Sequence, residues 1–470
     1  MQEQTITPPV NRKLLMTVLL AGVFLALLNQ TILITALPKI ISDFGIQASQ
    51  AQWLITSFML VNGIIVPVSA FFISKFSTRQ LFFTSVIIFL AGTTLGGIAP
   101  TFSVLLAARF IQAIGAGIIM PLVSNIILLI TPREKRGSAM GLMVLVICFS
   151  PAIAPTLAGA VVDIFSWRYL FYGTLPLTLG VLIMSLFSLK NVTETNQSEK
   201  LSIPSVLLST ITFGSILYSL SLAGELGWMN QQTIMFGAVG IVALIALIVQ
   251  QLKLANPMLE LRVFKYKIFT FCCVMMTVAF GTMLGVETLL PIYTQEVEGV
   301  SALESGLILL PGAALMGIMS PFIGRFTDKV GARSLVIAGF LTITLSTIPL
   351  SFSGLQSSIT LLVVLYTIRM VGIGLVMTPL QTAAMNAIPQ RLIAHGVAVY
   401  STLTSIAGSV GISVIVSLYM NMTNGLASEK IALGTTFLII TIVSGFTILL
   451  ALKLTKQQRV VRSSEMASEK

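Results

Sequence analysis

The sequence predicts an all-α membrane protein with fourteen transmembrane helices, arranged as two pseudo-symmetric six-helix bundles plus two inserted helices. Three observations carry that prediction. Of the 470 residues, 56% are hydrophobic and only 9% are charged, whereas a soluble domain carries about 25% charged residues. The apolar residues gather into fourteen runs, each near the roughly 20 residues that a helix needs to cross a bilayer. The first and last thirds of the chain also repeat one another's landmarks.

In chain order the runs are 14–37, 53–74, 80–99, 104–130, 137–162, 167–188, 203–222, 233–252, 268–292, 303–324, 334–353, 360–388, 396–419 and 432–452. The first is too long for the apolar core of a secretion signal, and no small-residue cleavage site follows it, so it is expected to stay as a span. Ser and Gly dilute the seventh and eighth. With the N-terminus placed in the cytoplasm, twenty-two of the 27 Lys and Arg residues fall in inner segments. Lys39, Arg168 and Lys430 fall outside, and Arg109 and Arg369 fall within helices. Inner loops rich in Lys and Arg set orientation, and an even span count then puts both termini in the cytoplasm. Segment 190–203 becomes an inner loop and 296–304 an outer one. The same bias accounts for the net charge of +11, so no nucleic-acid partner is expected. The partners expected are the lipid bilayer, protons and a small-molecule substrate, around a monomer.

The repeat is read from paired landmarks. Helix 1 ends in Ala36-Leu37-Pro38, and helix 9 in Leu289-Leu290-Pro291. Helix 4 carries Arg109 near its start and reaches Pro132 and Gly137; helix 12 carries Arg369 and reaches Pro389 and Gly396. A basic loop follows the second helix of each half, at 74–79 and 327–333. The expected organisation is therefore a first bundle at 1–188, an inner loop and two inserted helices at 189–267, and a second bundle with a cytoplasmic tail at 268–470. A duplicated six-helix bundle is a transporter signature, with its site near the bilayer midplane.

Several motifs sit on this frame. GRFTDKVGAR (324–333) is similar to the Gly-x-x-x-Asp-Arg-x-Gly-Arg-Arg loop of the major facilitator superfamily. RFIQAIGAG (109–117) resembles that family's Arg-x-x-Gln-Gly motif. Gly141, Ser150, Ala154-Pro155 and Gly159 fall where its antiporter motif has Gly, Gly, Gly-Pro and Gly. Trp167-Arg168 with Phe171 and Pro176 matches the entry to helix 6, and ALLNQTILITALPKI (26–40) resembles the Asp-x-Thr…Ala-Leu-Pro motif of helix 1. The chain thus resembles the fourteen-helix drug:H+ antiporter branch of that superfamily. Two positions depart from the pattern: Asn29 stands where helix 1 often has an acid, and Ser74 stands where the first inner loop should hold Asp.

The candidate site residues follow. Asn29, Gln30 and Thr31 interrupt an apolar helix, either as interhelical glue worth roughly 0.6–2 kcal/mol or as the neutral wall of a substrate cavity. Glu287 is the only acid well inside a predicted span, and an intramembrane ionisable group marks function by default. A carboxyl in hydrocarbon can hold a proton or a cationic cargo but not comfortably neither, which is the chemistry of antiport. The alternative places it at the outer mouth, solvated or paired with an arginine. Arg109, by resemblance, belongs to a proton-transfer motif. It cannot release a proton itself, so it either acts electrostatically on a neighbouring acid or clamps backbone carbonyls. Trp53, Phe58, Gln112, Met283 and Tyr293 are candidates for the pocket, with lipid-facing filler as the alternative for the Met and aromatic residues. Asp328, Lys329, Gly331 and Arg333 read as a gating latch or as a plain basic loop, and Pro155 with its small neighbours as a tight seam. His395 is the only histidine and Cys148, Cys272 and Cys273 lie in apolar runs. No catalytic set, metal cluster, nucleotide loop or cofactor site is apparent, so an enzyme is not expected. The resulting expectation is a proton-coupled exporter of small amphipathic or cationic drugs in a bacterial plasma membrane. An exporter of one dedicated metabolite, lipid or peptide, and a non-transporting membrane sensor, are the alternatives.

Overall fold

The computed structural model describes residues 12–189, 191, 202–254, 257–300, 302–352, 358–424 and 428–468. Most of the expected inner loop at 190–203 lies outside the described residues, as does the side chain of Pro155. Among the described residues the protein is helical with no strand: α1 (Arg12–Thr31), α2 (Leu37–Phe44), α3 (Ala48–Lys75), α4 (Thr78–Gly97), α5 (Phe102–Ile130), α6 (Arg136–Ile164), α7 (Arg168–Ser188), α8 (Ile203–Leu226), α9 (Gln231–Lys253), α10 (Lys267–Glu296), α11 (Ala302–Val330), α12 (Ala332–Thr347), α13 (Ile359–Asn386), α14 (Ile393–Asn424) and α15 (Glu429–Ser468). Each of the fourteen apolar runs holds one long helix. Thirteen are long and apolar enough to cross a membrane, and α6, at 29 residues, makes the fourteenth.

The run 14–37 departs from a single straight helix. α1 stops at Thr31, residues 32–36 form tight turns, and α2 begins at Leu37. Pro38, which has no N–H to donate to the Ile34 carbonyl, sits in the first turn of α2, where a proline costs no helical bond. The turns instead close through shorter bonds, Ala36 N to Leu33 O at 3.0 Å and Ile34 N to Thr31 O at 3.1 Å. Gly45, at φ 62°, ends α2 in the left-handed conformation, which costs glycine no Cβ clash.

The chain forms two compact units, one of Met1–Ile130 with Ile153–Leu201 and one of Thr131–Ala152 with Ser202–Lys470. In the first unit α5 is the axial element, packed against α1, α3 and α4, while α7 packs against α1 and α4. Close approach depends on small residues. A Cβ at Gly92 would meet the Gln112 backbone at 2.6 Å, and one at Gly115 the Ser85 carbonyl at 2.6 Å. At the end of the bundle holding α2, Asp43 accepts from Trp167 Nε1 at 2.9 Å and pairs with Arg168 at 3.3 Å. Lys39 Nζ donates to the Val162 carbonyl.

In the second unit α13 packs against α10, α11 and α12, and α10 lies against α14 and α15. The inserted hairpin α8–α9 belongs to this unit. α8 meets α14, where Ser413 Oγ donates to the Leu220 carbonyl at 2.6 Å. Gln251, buried at the end of α9, donates to Ser205 Oγ at 3.0 Å and accepts from Leu259 N at 3.1 Å. A polar side chain buried in apolar surroundings needs such partners. Gly281 and Gly411 bring the backbones of α10 and α14 into direct contact, and the Ile415 side chain lies against Gly285 one turn on.

Candidate functional site

Each unit buries one arginine, and the two are held differently. Arg109 rises from α5 in the first unit and is fully buried. Its Nε donates to the Leu54 carbonyl at 3.1 Å, and its Nη1 to the Asn29 carbonyl at 2.9 Å and to Gln112 Oε1 at 3.0 Å. The Phe58 ring lies 4.2 Å from the guanidinium carbon, a desolvated cation–π contact of about 2 kcal/mol. The last four carbonyls of any helix lack intrahelical partners. Asn29 stands in the last turn of α1, so the arginine caps that helix. Gln112 Nε2 continues the network to Thr93 Oγ1 at 2.8 Å and Asn29 Oδ1 at 3.4 Å. All these partners are neutral, and among the described residues no acid pairs with Arg109 within 4.0 Å. Gln30 is half-buried and outside the network, and Trp53 is 39% exposed at the start of α3.

In the second unit Arg369 of α13 is equally buried. It donates once, from Nη2 to the Thr282 carbonyl at 2.9 Å, and its Nε and Nη1 have no partner. Thr282 lies nine residues before Pro291, as Asn29 lies nine before Pro38. The two arginines therefore reach the same place in the first helix of their own bundle. Glu287 is half-buried on α10. Its electrostatic neighbours are Arg369, Tyr366 and Cys148, yet no ion pair forms with Arg369 within 4.0 Å. Met283 is buried one turn earlier on the same helix. Tyr293 is fully buried, and its hydroxyl donates to Glu298 at 2.9 Å, beside the Lys430–Glu298 pair at 3.5 Å.

Asp328 makes a third constellation, also within the second unit. Its carboxylate accepts from Gly137 N at 2.7 Å, Ser138 N at 2.8 Å and the Ser138 hydroxyl. It thus caps the start of α6, where free N–H groups and the helix dipole favour an anion. A Cβ at Gly137 would sit 2.5 Å from both Asp328 Oδ1 and the Gly324 carbonyl. One turn on, Gly141 faces the Ser320 carbonyl in the same way. Arg136 donates to Asn386 Oδ1 at 2.8 Å. Lys329 is exposed and Arg333 half-buried, and neither forms an ion pair among the described residues. Gly331, at φ 89°, forms the turn into α12.

The structure therefore brings together Asn29, Phe58, Arg109 and Gln112 in one place and Glu287 with Arg369 in another. It sets Tyr293, Trp53 and Gln30 apart from the first group. Thr93, Tyr366 and Cys148 join these centres without having stood out as site residues in the sequence, because a lone hydroxyl or thiol in an apolar helix carries no periodic signal, and Thr282 joins through its backbone carbonyl, which no side-chain pattern marks.

The sequence profile of the Major Facilitator Superfamily matches residues 19–412. The chain is 47% identical to the MFS-type transporter YcnB of Bacillus subtilis (strain 168), over 96% of this chain and 97% of that one. It is 40% identical to the lincomycin resistance protein LmrB of the same organism, over 86% and 85% of the two chains. The fold matches the crystal structure of the human organic anion transporter MFSD10 (TETRAN) with a TM-score of 0.70, at 14% identity, over 95% of this chain and all of that one. Fourteen long apolar helices, a duplicated arginine site and a matching profile along most of the length place the chain in the major facilitator superfamily of membrane transporters.

Proposed function

We propose that the protein is a proton-coupled antiporter that exports small amphipathic or cationic drugs from a bacterial cytoplasm by alternating access. It would act as a monomer in the plasma membrane with both termini inside. The observation that carries the reading is Glu287, a carboxyl within a spanning helix that has a buried arginine nearby and no ion pair with it. Such a group takes a proton on one side of the membrane and exchanges it for cargo on the other. The relationship to a lincomycin resistance protein supports drugs as the cargo. One charge moved across 100 mV supplies about 2.3 kcal/mol, and one pH unit adds about 1.4 kcal/mol, enough for a gradient of roughly a hundredfold.

Asn29, Gln112 and Phe58 form a neutral wall around Arg109 in this scheme, and the bond from Asp328 to the start of α6 is a latch that opens and closes with transport. The test is ethidium accumulation in everted vesicles with an acid interior. The wild type is expected to accumulate the dye and to lose it when the proton gradient is collapsed. No flux under any gradient would overturn the reading in favour of a non-transporting role.

A further inference from the structure

The two basic loops of the repeat differ in charge balance. Loop 327–333 keeps its acid, Asp328, whereas loop 74–79 carries Lys75 and Arg79 and no acid. Ser74 stands in the acid's place and donates to the Phe71 carbonyl of its own helix at 2.9 Å. Lys75 Nζ lies 5.3 Å from the centre of the Phe71 ring. Arg79 is exposed in the first turn of α4, a turn without an acid. Among the described residues no carboxylate pairs with it. A loop with cations and no anion of its own is open to an anion from outside the chain.

Arg79 is held at the edge of a groove. Its backbone N–H donates to Asn191 Oδ1 at 3.2 Å, and its Nη2 donates to the Leu186 carbonyl at 3.3 Å. That carbonyl lies in the last turn of α7, where helical bonding leaves carbonyls free. The guanidinium carbon lies 5.7 Å from the centre of the Phe83 ring. Among the described residues its Nε and Nη1 have no acceptor. The groove has a volume of about 340 Å³ and is lined by Arg79, Gln80, Phe83, Thr84 and Leu186, all in the first unit. One turn further from the start of α4, Ile87 of α4 and Ile183 of α7 are exposed, so the groove leads onto an apolar face. The start of α4 adds the positive end of a helix dipole.

We propose that the α4–α7 groove binds an anionic phospholipid of the inner leaflet, with its phosphate on Arg79 and an acyl chain along Phe83, Ile87 and Ile183. Three features choose this occupant. A guanidinium fork matches phosphate oxygens, and basic pockets between spanning helices on the cytoplasmic side take acidic headgroups. The apolar face beyond the head suits a hydrocarbon tail and gives a free phosphate nothing to bind. The lining holds no acid to receive the ammonium of a choline or ethanolamine head, which favours a head with net negative charge. The bound lipid ties α4 to α7 through the arginine that already bridges them. The choice of leaflet rests on the orientation proposed above, whereas the site itself does not depend on it.

The experiment is a titration of the purified full-length protein in detergent with dioleoyl phosphatidylglycerol, read by native mass spectrometry as lipid bound per protein. Arg79→Gln should weaken binding of the first lipid about fivefold or more. Arg391→Gln, which removes an exposed cation between α13 and α14, should leave it unchanged. Thr84→Trp keeps the charge but fills the groove, and it should weaken the first lipid as well. Dioleoyl phosphatidylcholine should bind the wild type more weakly than phosphatidylglycerol, and glycerol 1-phosphate should not displace the lipid. Equal affinity of wild type and Arg79→Gln for phosphatidylglycerol overturns the proposal. If Arg79→Gln does not fold, unchanged affinity in Thr84→Trp does the same. Phosphatidylcholine bound as tightly as phosphatidylglycerol overturns the choice of an anionic head, and displacement by glycerol 1-phosphate overturns the lipid in favour of a soluble phosphate. None of these readings depends on dye transport or on Glu287.

Discussion

The two buried arginines occupy equivalent places in a duplicated chain, yet one is locked and the other is open. Arg109 donates three hydrogen bonds from Nε and Nη1 and lies under an aromatic ring, with every partner neutral and only Nη2 vacant. Arg369 donates one and keeps two nitrogens vacant, with a carboxyl nearby. The helices they touch differ in the same sense. α1 breaks after Thr31 and exposes a carbonyl for Arg109 to cap, whereas α10 runs unbroken from Lys267 to Glu296 with Pro291 inside it. The same landmark, a proline nine residues beyond the contacted carbonyl, ends one helix and is absorbed by the other. Duplication supplies the place for a cation, and local sequence decides whether its donors are taken up or left vacant.

The largest effect should come from removing the locked arginine. Arg109→Leu leaves the Asn29 and Leu54 carbonyls and the Gln112 amide without their donor, a loss of about 3 kcal/mol or more. Arg369→Leu sacrifices one bond and removes two unsatisfied donors, so it should cost about 1 kcal/mol or less. Thermal unfolding of both variants in detergent measures the gap, and equal losses would break the comparison. Next in size is Gly324→Ala, which drives a Cβ into the Gly137 backbone and should cost about 1–3 kcal/mol. Gly159→Ala meets open space and should change stability by less than about 0.5 kcal/mol. Asp328→Asn keeps the shape but removes the charge that faces Gly137 and Ser138, for about 1–2 kcal/mol. Its larger signature should be slower dye efflux, read in the same vesicles. Trp167→Phe loses one bond to Asp43 and should cost about 1 kcal/mol, read in the same unfolding experiment.

Much of the architecture was legible in the sequence, because lipid imposes one rule on every spanning segment: enough apolar residues, with the backbone bonded to itself. That rule located all fourteen long helices but could not see where one of them breaks. Pro38 was visible, yet Pro67 and Pro121 sit inside helices that continue, so the proline alone does not settle the matter. The partners of the site residues were less legible. Asn29, Thr93 and Gln112 meet across three helices, and no local spacing encodes which helices are neighbours. Asn29 read as interhelical glue or a cavity wall, and its carbonyl accepts from Arg109, its Oδ1 from Gln112, while its Nδ2 donates to Leu25 of its own helix. Tyr293 read as a pocket residue, but its hydroxyl is taken by Glu298 at a distance of five residues that hydropathy ignores. Asp328 stood out through its motif, and the residues it caps lie 190 positions away.

The most direct measurement of the central claim is a substrate-induced pH change with the protein reconstituted in liposomes, comparing wild type with Glu287→Gln. Ethidium should release protons from the wild type and none from Glu287→Gln, while dye binding to the variant survives. Proton release of equal size from both proteins would contradict it.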